Sequence, residues 1–316
     1  QPNAIPYITS YYNERWGFCL THNEREQLKP GDYQVYIESE LKNGSLTYGE
    51  LIIPGETDQE IFLSSYLCHP SMANNELSGP VVTTYLAKWL SELKKRKYTY
   101  RIIIIPETIG SIIYLSKNFK EMKEKMIAGF NISCVGDDRA YSYLPSRFGS
   151  TLSDKVALHV LKNLRPGFQS YSFLERGSDE RQYCSPGIDL PVCSIMCSKY
   201  GCYPEYHTSL DDLTLVTASG LYGGFITIQK ALECLEMVET LKVSVLCEPQ
   251  LGKRGLYPTL STKESWSEVR DMKNLIAHCD GELNLLEIAD LINVPLWELK
   301  EIVYKLKEEG LLKSKL

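Results

Sequence analysis

The sequence has no apolar run long enough to cross a bilayer, no charged-then-apolar leader, no CxxC pair, no basic cluster, no internal repeat and no low-complexity tract. A spanning helix needs roughly 20 apolar residues; the longest runs here, Arg101 to Pro106 and Val243 to Cys247, fall far short. No membrane insertion is therefore expected. The chain opens on Gln1 rather than Met and goes straight into irregular sequence, so further residues are expected upstream. Phosphate contacts require concentrated Lys and Arg, and a net charge of −6 without such a cluster makes nucleic acid an unexpected substrate. The ten cysteines are scattered singly, several inside apolar stretches (Cys68, Cys134, Cys193, Cys234). They read as small buried hydrophobes in a reducing compartment rather than as a disulfide framework, and a cytoplasmic location is expected.

What is present is a chain of 316 residues, 43% hydrophobic, long enough for one large core and a small satellite. Residues 17 to 54 look β-like: Tyr33 to Glu38 alternates with period two, Lys42 to Ser45 makes a turn, and Leu46 to Ile53 returns. Then strand and helix patterns alternate. Glu60 to Leu67 is an apolar strand, Pro80 to Lys95 an amphipathic helix, Arg101 to Ile105 a buried strand, Gly110 to Asn118 a helix and Gly129 to Val135 a strand. Helix Ser153 to Leu164, strand Leu190 to Met196 and a long helix from Ala218 to Val243 follow. Such alternation predicts an α/β fold with a mixed, mostly parallel sheet covered by helices. The expected divisions are a β-rich module over 1–57, the α/β domain over 58–246, a linker over 247–265 and a small helical module over 266–316.

Ligands of doubly wound sheets bind at the carboxyl ends of the strands, and there the sequence places chemistry repeatedly. Cys68-His69-Pro70-Ser71-Met72-Ala73-Asn74-Asn75-Glu76-Leu77-Ser78-Gly79 follows the first strand, Pro106-Glu107-Thr108-Ile109-Gly110-Ser111 the second and Gly136-Asp137-Asp138 the third. Tyr203-Pro204-Glu205-Tyr206-His207-Thr208-Ser209-Leu210-Asp211-Asp212 comes near the end of the sheet. Two histidines and several carboxylates on one sheet edge offer the nitrogen and oxygen donors that Zn²⁺ accepts. Ser78, Asp138, Thr208 and Asp211 read instead as helix caps and turn residues. Cys68 reads as the end of an apolar strand, with no third residue to orient a Cys–His dyad.

These segments resemble the co-catalytic zinc aminopeptidase superfamily, which includes glutaminyl cyclases, and especially its bacterial branch with a winged-helix tail often found in polysaccharide-biosynthesis loci. The resemblance covers nearly the whole chain and implies a zinc-exopeptidase-like fold with one or two Zn²⁺ ions. Carried over residue by residue, it makes His69 and Asp137 resemble the ligands of one metal and Glu107 and His207 those of the other, with Asn75 in the place of the bridging Asp. Ser178 to Tyr183 resembles the loop lining the substrate pocket, and Arg176, Asp179, Glu180 and Tyr206 are the implied substrate-binding residues. The implied activity is hydrolysis of a peptide or amide bond by metal-activated water, with Asp179, Glu180 or Glu205 holding the free amino group of a peptide or amino-amide substrate.

Two positions depart from that pattern. Asn75 offers a neutral oxygen where a bridging carboxylate is normal, and Glu76 replaces it only if the loop shifts by one residue. Pro106 stands where the first Glu of a Glu-Glu pair belongs, so Glu107 must serve as ligand or as catalytic base. A mononuclear site follows, of His207, Glu107 and Asn75 or of His69 and Asp137. The rival reading is a catalytically silent relative acting as a ligand-binding or assembly protein. Met272 to Leu316 resembles a winged helix, but Glu298, Glu301, Glu308 and Glu309 suit protein contact and homo-oligomer formation better than DNA binding.

Overall fold

In the computed structural model residues 1–10, 13–69, 71–257 and 263–315 are described. Pro70 of the first strand-end motif, residues 258–262 of the expected linker and Leu316 lie outside them. The chain divides into two compact units, Gln1–Asp154 with Gly167–Ile226, and Lys155–Pro166 with Thr227–Leu316.

The first unit contains, in chain order, α1 (His22–Gln27), β1 (Gly49–Ile53), β2 (Glu60–Tyr66), α2 (Ser78–Glu92), β3 (Thr99–Ile105), α3 (Ile109–Lys125), β4 (Met126–Asn131) and β5 (Ser142–Leu144). After α4 (Leu152–Leu164) come β6 (Gln169–Ser170), α5 (Glu180–Tyr183), β7 (Val192–Met196) and α6 (Ala218–Met237); the division between units falls within α4 and α6. The seven strands form one sheet in the order β1-β3-β2-β4-β7-β5-β6. β3, β2, β4 and β7 run parallel, whereas β1 and β5 join antiparallel. Every residue of β2 is buried, which is why a strand covered on two faces reads as an apolar run rather than an alternation.

Buried polar residues of β2 and β3 find partners. Ser64 shares a hydrogen bond with the Tyr183 hydroxyl and Ser65 donates to the Ile132 carbonyl. Arg101 donates to Glu60 from Nε at 2.6 Å and Nη2 at 2.8 Å, and its Nη1 reaches the Tyr114 hydroxyl at 2.9 Å. A guanidinium is always charged, so its burial is costly without such partners, and the Glu60 contact drives its pKa upward. α2 buries Ser78, Gly79, Val82, Thr83, Leu86 and Leu90, one helical stripe. Gly79 allows close approach, since a Cβ there would stand 2.4 Å from the Ile132 carbonyl oxygen. Because β2, β3, β4 and β7 are parallel, the segments after Tyr66, Ile105, Asn131 and Met196 emerge on one edge.

The segment before residue 57 is not an independent β-rich module. Among the described residues of this segment the one strand is Gly49–Ile53, whose partner is β3; residues 33–38 pair with no described strand. Alternation specifies a strand only where one face finds a surface to cover, and here Tyr33, Tyr36 and Leu41 are all exposed. The first residues instead lie along the late loop. Pro6 bridges Thr208, Tyr7 N donates to the His207 carbonyl at 3.0 Å, and Ile5 N donates to Ser209 Oγ.

In the second unit the helix expected to reach Val243 stops at Met237, and β8 (Thr240–Val243) follows. Val238 to Val243 is rich in β-branched residues, which favour a strand once a partner is present. β8 pairs antiparallel with β9 (Asp280–Asn284) and β10 (Leu312–Ser314) in a three-stranded sheet. Between them lie α7 (Lys263–His278), α8 (Leu285–Ile292) and α9 (Lys300–Glu308). Asn284 and Glu287 form a capping box on α8, and Asn293 closes it in the left-handed conformation. The buried His159 of α4 accepts from Leu296 N at Nε2 (2.9 Å) and meets Asp290 at Nδ1 (2.7 Å), an arrangement that the Nδ1–H tautomer satisfies. The small module thus starts at β8, before the expected linker.

Limited proteolysis checks the corrected N-terminal region. Chymotrypsin is expected to cut first at Tyr33, Tyr36 or Leu41; protection of these positions equal to that of β2 would restore the hairpin.

Candidate functional site

After β2 the chain runs through His69 into a single π-turn, Ala73–Leu77, closed by Ser78 N donating to the Ala73 carbonyl. A π-turn holds one residue more than an α-turn, so it changes which side chain faces inward. Asp211 fixes it. Its carboxylate accepts from Asn74 N at 2.6 Å and Asn75 N at 3.0 Å, and its carbonyl accepts from Ala73 N at 2.8 Å. The Tyr203 hydroxyl adds a third donor to the carboxylate at 3.0 Å. Glu76, 1% exposed, is thereby brought to His69: Oε1 meets His69 Nδ1 at 2.5 Å and Oε2 accepts from Cys68 N at 2.5 Å. Asn75 serves Glu76 rather than a metal, its Nδ2 donating to Glu76 Oε1 at 2.6 Å. The loop therefore has the one-residue shift that puts Glu76, not Asn75, beside His69.

Asp137 takes a different part from the one expected. Its carboxylate accepts from Asn74 Nδ2 (3.0 Å), Ser198 N (2.9 Å), Ser198 Oγ (2.7 Å) and Arg139 N (3.1 Å). Four donors engage it and His69 is not among its partners, so it ties the end of β4 to the end of β7.

His207 comes to the site from the late loop. Its ring lies 4.8 Å from that of His69 and stacks on Tyr206 at 3.9 Å. Tyr7 packs edgewise on His69 at 4.7 Å and on His207 at 5.2 Å. The two imidazoles are driven apart electrostatically. Glu76 raises the pKa of His69 against the opposing effect of burial, whereas burial lowers that of His207 and the neighbouring His69 lowers it further. Glu107 follows β3, and burial raises its pKa against a hydrogen bond from Ser178, with the Glu76 charge adding to the rise. His207 and Thr108, next to Glu107, have positive φ values of 55° and 63°. Such left-handed positions cost ~1–3 kcal/mol and persist where the surroundings enforce them.

The 176–183 segment behaves unevenly. Asp179 Oδ1 accepts from Thr108 N at 2.7 Å and Ser111 Oγ at 2.8 Å, while Oδ2 is buried with no hydrogen-bond partner among the described residues. Burial pushes this carboxyl up to about 7. Glu180 is saturated by Gly177 N, Ser178 N, the Tyr200 hydroxyl and Asn131 Nδ2, and so shapes the loop instead of reading substrate. Glu205 is held by Arg139 through two contacts of 2.9 Å. Arg176 is exposed, stacked on Phe173 and bonded to its carbonyl, and among the described residues no hydrogen bond or ring contact joins it to His69 or His207. Sequence reasoning missed Tyr7, which comes from irregular sequence, and Arg181, whose Nη2 donates to Thr108 Oγ1 at 2.6 Å. Cys68 is no nucleophile by this geometry; partial burial and the Glu76 charge push its thiol up.

Among the described residues no three His, Cys, Asp or Glu side chains close on one point as a metal site. In donor type, His69, His207 and Glu76 nonetheless match a catalytic zinc set of two imidazoles and a carboxylate. An ion there would exchange the His69–Glu76 hydrogen bond for bonds to itself. Asn75 and Asp137 are hydrogen-bonded to other groups, Asn75 to Glu76 and Asp137 to Asn74, Ser198 and Arg139.

The parallel sheet with its His and Glu cluster at the strand ends defines an aminopeptidase-like α/β protein followed by a winged helix. The chain belongs to the family described as a domain of unknown function, DUF4910, whose model matches residues 5–238, and a winged helix-turn-helix model matches 239–314. It is 44% identical over 289 residues to a Clostridium acetobutylicum protein described provisionally as a polysaccharide biosynthesis protein with an aminopeptidase-like domain, covering 91% of this chain and 66% of that one. The chain thus spans just under two thirds of this relative. A crystal structure from Clostridium acetobutylicum, described provisionally as a peptidase, aligns with a TM-score of 0.92 and 41% identity over 99% of this chain and 71% of that one. The zinc aminopeptidase BSAP of Bacillus subtilis shares the fold at a TM-score of 0.50 and 16% identity, over 60% of this chain and 49% of that one. A glutaminyl cyclase of Porphyromonas gingivalis also shares it.

Asp211→Ala is expected to destabilise the protein by about 3 kcal/mol, since buried donors lose a charged acceptor. Tyr203→Phe, which removes one of those donors, should cost about 1 kcal/mol. Urea unfolding followed by circular dichroism measures this, and equal losses would refute the central place of Asp211.

Proposed function

We propose that this chain is a zinc-dependent aminopeptidase-like hydrolase with a single metal site made by His69, Glu76 and His207, and with Glu107 as its base. The observation that carries the reading is the placing of Glu76 against His69, because it supplies a second carboxylate. Glu107 then no longer has to be ligand and base together.

Bound zinc would supply a Lewis acid for the amide carbonyl and lower the pKa of a water molecule. The residues supply the rest. Burial raises the pKa of Glu107, the direction that suits a group that accepts a proton and returns it to a leaving amine. Ser178 orients it through a hydrogen bond, and Asp179 fixes the following peptide by accepting from Thr108 N. His207 is kept toward its neutral, metal-binding form by burial. Glu180 and Glu205 being engaged, Asp179 Oδ2 is the acceptor left for the ammonium group of a peptide or amino-amide substrate. Tyr7 and Tyr206 wall the histidines and restrict water. For the winged-helix unit we propose protein contact, homo-oligomer formation included, in keeping with the acidic residues on and beside α9.

Plasma mass spectrometry on protein purified without chelator tests the reading, with about one zinc per chain expected for a three-ligand catalytic site. His69→Ala, His207→Ala and Glu76→Gln should lose it. Glu107→Gln should keep it while lowering kcat on aminoacyl anilides by roughly 10²–10⁴-fold, the usual share of a general base. No zinc after add-back would leave a ligand-binding protein on a hydrolase fold.

A further inference from the structure

We propose that the groove between residues 145–149 and 172–186 is an anion subsite that receives a carboxylate- or phosphate-bearing part of the substrate. The inference rests on the hydrolase reading for the word substrate, but its binding chemistry stands on separate residues. The groove encloses about 690 Å³ and is lined by Arg147, Arg176, Arg181, Phe148, Phe173 and Gln182, among others.

Three guanidinium groups on one cavity run against the grain of a chain whose net charge is −6. Their partners do not balance them. Arg147 is paired with Asp189, and its Nε is buried with no hydrogen-bond partner among the described residues. Among the described residues Arg176 has one hydrogen-bond acceptor, the Phe173 carbonyl at 3.2 Å, and Arg181 one, Thr108 Oγ1. Glu175, the nearest acid in sequence to Arg176, is engaged with Ser172 N at 2.8 Å. Among the described residues Asp189, on Arg147, is the one carboxylate in ion-pair contact with the three guanidinium groups.

The arginines are also held in place. Arg147 lies over the Phe148 ring at 4.5 Å and Arg176 over Phe173 at 4.8 Å. Stacking fixes the plane of a guanidinium and leaves its N–H edge for a planar or tetrahedral oxyanion. Phe148 and Leu174 are 65% and 84% exposed, an apolar surface beside the charges. Arg181 joins the groove to the reacting centre: it lines the cavity, bonds the residue after Glu107, and its charge acts on Glu107 and Tyr206.

Titration calorimetry of the full chain with Ala-Glu, Ala-Gln and Ala-phosphoserine dipeptides tests the assignment, in wild-type, Arg176→Gln, Arg181→Gln and His69→Ala proteins. Lys88→Gln, which removes an equal charge from the exposed face of α2, is the control. The charged peptides should bind wild type about tenfold more tightly than Ala-Gln, as one charge-assisted contact allows. Arg176→Gln and Arg181→Gln should erase that preference, and Lys88→Gln should not. Stronger binding of phosphoserine identifies phosphate as the group read, and stronger binding of Glu identifies carboxylate. Retention of the preference in His69→Ala keeps the subsite even where turnover is absent. Absence of charge-dependent binding, or a preference that survives the arginine replacements, would overturn the proposal.

Discussion

The Asp211 carboxylate is the constraint on which the strand-end cluster depends. Two successive backbone N–H groups, of Asn74 and Asn75, point at it, together with the Tyr203 hydroxyl. A helix start normally finds its acceptors within its own first turn. Here the acceptor comes from a loop 136 residues away in the chain, and the segment it holds is wound as a π-turn. That winding carries Glu76 to His69 and turns the Asn75 amide into a donor to Glu76. The same loop presents His207. One buried carboxylate thus sets the positions of the two histidines and of the acid between them.

From this follows a division of labour among acids that look alike in sequence. Asp137 and Glu180 are each saturated by four donors and act as ties, the first between strand ends and the second within the 177–180 loop. Glu107 and Asp179 are raised by burial, and Asp179 Oδ2 has no hydrogen-bond partner among the described residues. Environment, not residue type, separates structural carboxylates from reactive ones. The cost of the arrangement is local: His207 and Thr108 sit at positive φ.

Much of this was legible in the sequence where a pattern reports a local environment. Glu60 to Tyr66 and Arg101 to Ile105 are apolar because both faces of a parallel strand are covered, so His69 and Glu107 could be placed at strand ends. The helix expected over Pro80 to Lys95 is present as α2, shifted to Ser78–Glu92. What failed depended on partners far along the chain. The alternation at Tyr33 to Glu38 reads as a strand, yet no described residue pairs with it as one. The segment 240–243 reads as the end of a helix until β9 and β10 provide a sheet. Asn75 and Glu76 are adjacent, and which one faces His69 is decided by Asp211 rather than by their own neighbours. Tyr7 carries no motif at all.

Diffraction from crystals grown with zinc, recorded above and below the zinc edge, tests the central claim most directly. The account predicts one anomalous peak per chain, bonded by His69, Glu76 and His207, with Asn75 still donating to Glu76. Two peaks bridged at Asn75, or one peak bonded by Asp137, would contradict it.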